Sequence, residues 1–225
     1  MKVANINIEK ERFKSYLSTQ VEYSQKYIYE NLEYFKYNWD LSELDLTTMF
    51  NKSLSSKISG RLWGGSKDSA KSMMLRFIDL NKEFVRSMFR NLFDEDKELV
   101  MRLNRFGFHC DQMLAEIQEK DKTADVHFHE NGKMVAFYLC FNDPMNYTLF
   151  DYNAFKATMQ KLESRSIPEP FEVERYFKLS NGLYKLLSRD EELIHMHKQA
   201  IEPYIRNEAG QLLVHDFYLF CAGKL

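Results

Sequence analysis

Glycine and proline are both scarce, at eight and four in 225 residues. A sandwich, a barrel or a glycine-rich nucleotide-binding sheet needs many turns, and this chain holds few residues to make them. Cysteine is scarce too. Cys110, Cys140 and Cys221 are odd in number, far apart and without a C-x-x-C pair, which argues against a disulfide framework or a thiolate zinc site and fits a reducing compartment. No apolar run approaches the roughly 20 residues that span a bilayer. The opening Met-Lys-Val-Ala-Asn-Ile-Asn-Ile-Glu-Lys lacks the apolar core of a signal peptide. A cytoplasmic protein with no membrane partner is expected.

Aromatic residues, by contrast, abound: 18 Phe, 13 Tyr and 2 Trp. With 44% hydrophobic and 28% charged residues, the chain is too apolar to be disordered and long enough to bury a substantial core. Positive and negative residues nearly balance, 31 against 33.

Helical periodicity dominates. Phe13, Tyr16, Leu17, Val21, Ile28, Leu32 and Phe35 recur at spacings of three, four and seven, which predicts one long helix over about 9–37. A short helix follows to about Leu54, and then a glycine- and serine-rich loop over 51–66. Asp68 or Ser66 is the expected cap of the next helix, and Asn81 marks a turn within it because asparagine caps better than it propagates. Phe77, Phe84, Met88, Phe89, Phe106 and Met113 fall on core-facing stripes. Asp94-Glu95-Asp96 places negative charge where the following helix would begin. The apolar run 134–141 cannot be typed by periodicity, Tyr147 to Phe150 alternates like a brief strand, and three helices over 171–187, 191–204 and 212–220 complete the chain. The expected fold is mainly α, a single helical domain over 1–225 with at most a small β element near 126–150. Its best candidate seam is the polar stretch 119–133.

Motifs of known chemistry are near misses. Gly60-Arg-Leu-Trp-Gly-Gly65-Ser66-Lys67 imitates a phosphate-binding loop. Its Ser and Lys are in reversed order, and no buried strand precedes it, so Lys67 is not where a β/γ-phosphate needs it. In His127-Phe128-His129-Glu130, alternate histidines on an extended segment would project to one side and begin a metal site. Such a site needs a third ligand with supporting hydrogen bonds, and no neighbour in sequence is obliged to supply one. His195 and His197 diverge by about 200° on a helix. The cysteines sit in apolar context, the setting of inert filler. No catalytic residue, cofactor or metal is therefore expected.

Charge is uneven along the chain. Residues 51–90 hold nine Lys and Arg against three Asp and Glu, a local excess of six within a chain of net charge -2. Lys57, Arg61, Trp63, Lys67 and Lys71 combine positive charge with an aromatic plane, a composition that grips phosphates and stacks bases. Solvated helix faces have the same composition.

Trp39-Asp40 after a long helix, Met74-x-x-Phe77-Ile78, the run Phe84 to Glu95, and Tyr138-Leu139 followed by Asp143-Pro144-x-x-Tyr147-x-x-Phe150 together resemble a bacterial domain. It is the N-terminal domain preceding the AAA+ motor in proteins of the GTP-dependent methylcytosine-restriction (McrB-type) family. The resemblance extends over about 20–220 and implies target recognition or partner coupling. With no Walker A sequence and no motor domain, restriction and GTPase activity do not carry over. Two functions are expected to compete. One is a non-catalytic module recognising nucleic acid or a protein partner. The other is a small-molecule enzyme or ligand-binding protein with a pocket around His127, His129, Tyr147 and Tyr152.

Overall fold

The computed structural model describes residues 1–55, 60–63, 69–130 and 132–225, without the side chains of Arg61 and Trp63. The chain is mainly α, and no strand occurs among the described residues. No helix among them is long and apolar enough to cross a membrane. Residues 147–150 are irregular rather than paired, so the small β element does not form there.

The elements are α1 (Val3–Thr19), α2 (Lys26–Asn38), α3 (Leu46–Ser53), α4 (Gly60–Trp63), α5 (Ala70–Leu92), α6 (Leu99–Lys120), α7 (Lys133–Asn142), α8 (Tyr152–Lys161), α9 (Val173–Leu187), α10 (Glu191–Ile201) and α11 (Leu212–Cys221). They divide into two compact units. Unit 1 comprises Met1–Glu30 and Asp143–Leu225, and unit 2 comprises Asn31–Asn142. The stretch 119–133 lies inside unit 2 and is tied there: Arg76 pairs with Asp121 at 2.7 Å, and Gln118 donates to the Ala124 carbonyl at 2.8 Å.

The long first helix is broken. Gln20 turns extended after α1, leaving Val21 fully exposed while Tyr23 is buried. Side-chain caps set several starts, because each accepts an otherwise orphaned backbone N–H. Asp45 caps α3, Asp151 caps α8 and Asp190 caps α10. Ser69, rather than the expected Ser66 or Asp68, opens α5 in a reciprocal pair with Ser72. Ser66 and Asp68 lie outside the described residues. Asn81 is non-helical and its side chain accepts from Phe84 N at 3.0 Å, so α5 kinks where the sequence predicts a turn. The 94–96 acids do not cap α6, whose N-cap is Glu98. Instead Glu95 clamps buried Arg102 at 2.7 and 3.1 Å while Arg102 also donates to the Leu92 carbonyl.

In unit 2, α5 packs on α3 and α6, and the run 134–141 becomes helix α7, buried on every side. Such a helix shows no amphipathic period. Phe77, Met88, Phe89, Phe106 and Met113 are core. Phe84 is only half-buried, edge-on to His109. In unit 1, α11 is buried almost all round and packs against α1, α8 and α9.

Gly210 shows how tightly the chain enters α11. Its φ is +52°, and a Cβ there would stand 2.2 Å from the Pro144 carbonyl oxygen. Gln211 N donates to that same oxygen at 2.7 Å, so neither backbone can retreat without losing the bond. Gly210→Ala is expected to cost about 2–4 kcal/mol, combining left-handed strain with overpacking. Urea unfolding checks it, and a loss below about 0.5 kcal/mol, the range of neutral surface changes, would contradict the contact.

Candidate functional site

Of the five residues of the basic segment, Lys57 and Lys67 lie outside the described residues, as do the side chains of Arg61 and Trp63. Lys71 is described and engaged, donating to the Leu54 carbonyl at 3.0 Å and the Ser55 hydroxyl at 2.8 Å. Partial burial lowers its pKa. Two further cations of this stretch are also used internally. Arg76 pairs with Asp121, and buried Arg86 holds the carbonyls of Leu41 and Glu43 together with the Glu83 carboxylate. Lys52, Lys82 and Arg90 are exposed. The local excess of charge is thus partly structural: it fastens loops to α5.

The aromatic and histidine residues of the alternative pocket have separate surroundings. Buried Tyr147 meets Phe177 edge-on at 5.2 Å, and the Tyr152 hydroxyl donates to the Pro168 carbonyl at 3.0 Å, both within unit 1. His127 and His129 lie in unit 2, each 2% exposed.

There the fold supplies the partner that sequence spacing does not. Cys110, 0% exposed on α6, brings its sulfur and one ring nitrogen of each histidine within 4.8 Å of one another. The segment is not extended: Phe128 has φ +64°, a left-handed conformation costly for an aromatic residue, of order 1–3 kcal/mol. His129 Nδ1 donates to the His127 carbonyl at 2.5 Å, and its Nε2 accepts from the Tyr138 hydroxyl at 3.2 Å. Burial, reinforced by His127, lowers its pKa to about 3, so the ring is neutral. His127 Nδ1 accepts the His129 backbone N–H at 3.1 Å, which places the proton on Nε2, 3.0 Å from Asp111 Oδ1. Burial, then the charges of Asp111 and Glu130, push the Cys110 thiol up.

A second cluster was not legible as a motif. Asp216 on α11 is 0% exposed. Its Oδ2 accepts from Tyr23 at 2.6 Å, from Tyr29 and from His197 Nε2 at 3.0 Å. His215 Nδ1 stands 3.7 Å from Oδ1, too long for a hydrogen bond. Burial favours the neutral acid, yet the His197 hydrogen bond and the neighbouring His215 outweigh it and hold the carboxyl at about 2. The available signal was a lone acid in an otherwise apolar run, since a buried charge persists only when paired and hydrogen-bonded.

His197 also lines a cleft of about 680 Å³ in unit 1, a volume suited to a small ligand. Met145, Ile194, Ile201, Ile205 and Leu213 give it an apolar floor, and Lys198, Glu202, Arg206 and Glu208 contribute mixed charge. With Nε2–H committed to Asp216, the imidazole Nδ1 is the acceptor nitrogen. The neighbouring residue of the sequence pair, His195, is exposed, so the two histidines diverge as their helical spacing requires.

Comparison of the chain with protein-family models, with curated proteins and with solved structures finds no match.

Proposed function

We propose that the chain is a non-catalytic recognition module and that the cleft of unit 1 is its ligand site. The observation carrying this reading is the floor: five apolar side chains around one histidine whose opposite nitrogen is anchored on a buried carboxylate. Largely apolar walls with a few fixed polar groups are what small-ligand sites share. The fitting ligand is amphipathic, with an apolar body and an O–H or N–H donor for His197 Nδ1. A nucleic-acid partner is the competing reading. It rests on the composition of 51–90 and on the resemblance to the McrB-type N-terminal domain, and it is weakened by the internal use of Lys71, Arg76 and Arg86.

Ligand-detected NMR of a fragment library against the full chain, with labelled single- and double-stranded DNA titrated across a salt series, separates the two. Ile194 is half-buried on α10, so Ile194→Arg fills the cleft without opening the core. Amphipathic fragments are expected to bind the parent and to lose at least about tenfold in affinity, about 1.4 kcal/mol, in the variant. DNA is expected to show no salt-dependent binding. Fragments indifferent to Ile194→Arg would refute the cleft. Tight DNA binding that weakens steeply with salt would favour the nucleic-acid reading.

A further inference from the structure

We propose that Cys110, His127 and His129 form a structural zinc site in unit 2. This rests on nothing in the cleft of unit 1. The three ligand atoms lie within 4.8 Å of one another. Tetrahedral zinc, with Zn–S near 2.3 Å and Zn–N near 2.0–2.1 Å, sets such atoms roughly 3.4–3.6 Å apart. Closing that gap takes about 1 Å, within reach of side-chain rotation in a loop anchored at both histidines.

The donor set fits this ion. One thiolate with two imidazoles is borderline-soft and suits zinc over magnesium or calcium, which favour oxygen. The supporting bonds fit as well. Metal-bound histidine characteristically donates its other ring N–H to a carbonyl or carboxylate. His129 already does so, through Nδ1 to the His127 carbonyl, leaving the Nε2 lone pair, which now accepts from Tyr138, as the ligand. His127 does so through Nε2 to Asp111 Oδ1 at 3.0 Å, leaving the Nδ1 lone pair, which now accepts the His129 backbone N–H, as the ligand. Glu130 Oε1, 3.5 Å from that Nδ1, is an oxygen at hand for the fourth position.

The field has the right sign. The side chains of Asp111 and Glu130 are 72% and 49% exposed, bordering a centre whose histidines are 2% exposed. A negative rim over a closed donor set draws in a cation and then shields it. A fourth protein ligand from Glu130 closes the set, which marks a structural centre rather than an open catalytic one. Coordination displaces the thiol proton of Cys110 to the buffer, while both imidazoles bind as neutral ligands. It would also fasten the left-handed turn at Phe128 to α6.

The test is cobalt and zinc titration of the full chain after chelator treatment. One equivalent of Co²⁺ is expected to give intense tetrahedral absorption with a thiolate-to-cobalt charge-transfer band, both displaced by Zn²⁺. Cys110→Ala is expected to abolish the charge-transfer band, and His129→Gln to weaken zinc binding by about 100-fold or more, beyond what loss of a supporting residue does. His195→Ala, exposed on α10, should change nothing. A weak octahedral spectrum, no uptake at micromolar metal, or uptake that survives both Cys110→Ala and His129→Gln would overturn the site. The spectrum of the unsubstituted protein decides the matter even where a variant fails to fold.

Discussion

Phe89→Ala is expected to destabilise unit 2 by about 3–5 kcal/mol, the range for emptying a buried phenylalanine site. Phe89 is 1% exposed on α5. Its ring meets Tyr138 at 5.0 Å, Trp39 at 5.2 Å, Phe106 at 5.5 Å, Phe93 at 5.9 Å and Phe50 at 6.0 Å. Edge-on and tilted pairs of this kind add to the area term. Rings held from α3, α6 and α7 cannot all collapse into one void, so the cost belongs near the upper end. Both tryptophans, Trp39 and Trp63, belong to unit 2, so urea unfolding followed by tryptophan fluorescence reports this unit. A midpoint unchanged by the substitution would place the α5 stripe against solvent or a partner.

Asp216→Ala should be comparably damaging in unit 1, at about 3–5 kcal/mol. It removes the common acceptor of Tyr23, Tyr29 and His197, and leaves their donors buried and unpaired. Asp216→Asn, which restores one acceptor oxygen, should recover part of that loss. Hydrogen exchange of the α10 and α11 amides measures both variants. Acid sensitivity has a definite direction. The folded carboxyl titrates at about 2 and the unfolded one near ~3.9, so this stabilisation is whole above about 4 and fades as pH falls toward 2. Its size is about 2–3 kcal/mol. In Asp216→Ala that acid limb should be absent. An acid limb as steep as the parent's would mean that other carboxyls set it.

Much of the local structure was legible because it depends on neighbours in sequence. Asn81 as a helix-interrupting cap and the apolar stripes of α5 and α6 follow from hydrogen bonds or spacings within a few residues. The break after α1 escaped because Leu17, Val21 and Ile28 keep a helical register across it. Spacing alone does not distinguish a continuous helix from two helices that resume in phase. Helix α7 escaped for the opposite reason, since burial on all sides erases the period.

The two sites divide along the same line. By itself the sequence determined an α-helical chain, a core built from aromatic stripes, and a His-x-His pair that lacks a third ligand. Only the tertiary structure put Cys110, seventeen residues upstream of His127 in sequence, beside that pair. It also gathered Tyr23, Tyr29 and His197 around Asp216, whose hydrogen bonds to them span 193, 187 and 19 residues. Helical propensity is a short-range property and survives in the sequence. A buried charge or a metal-ligand set is satisfied by groups from distant elements, and the packing of those elements decides which groups meet.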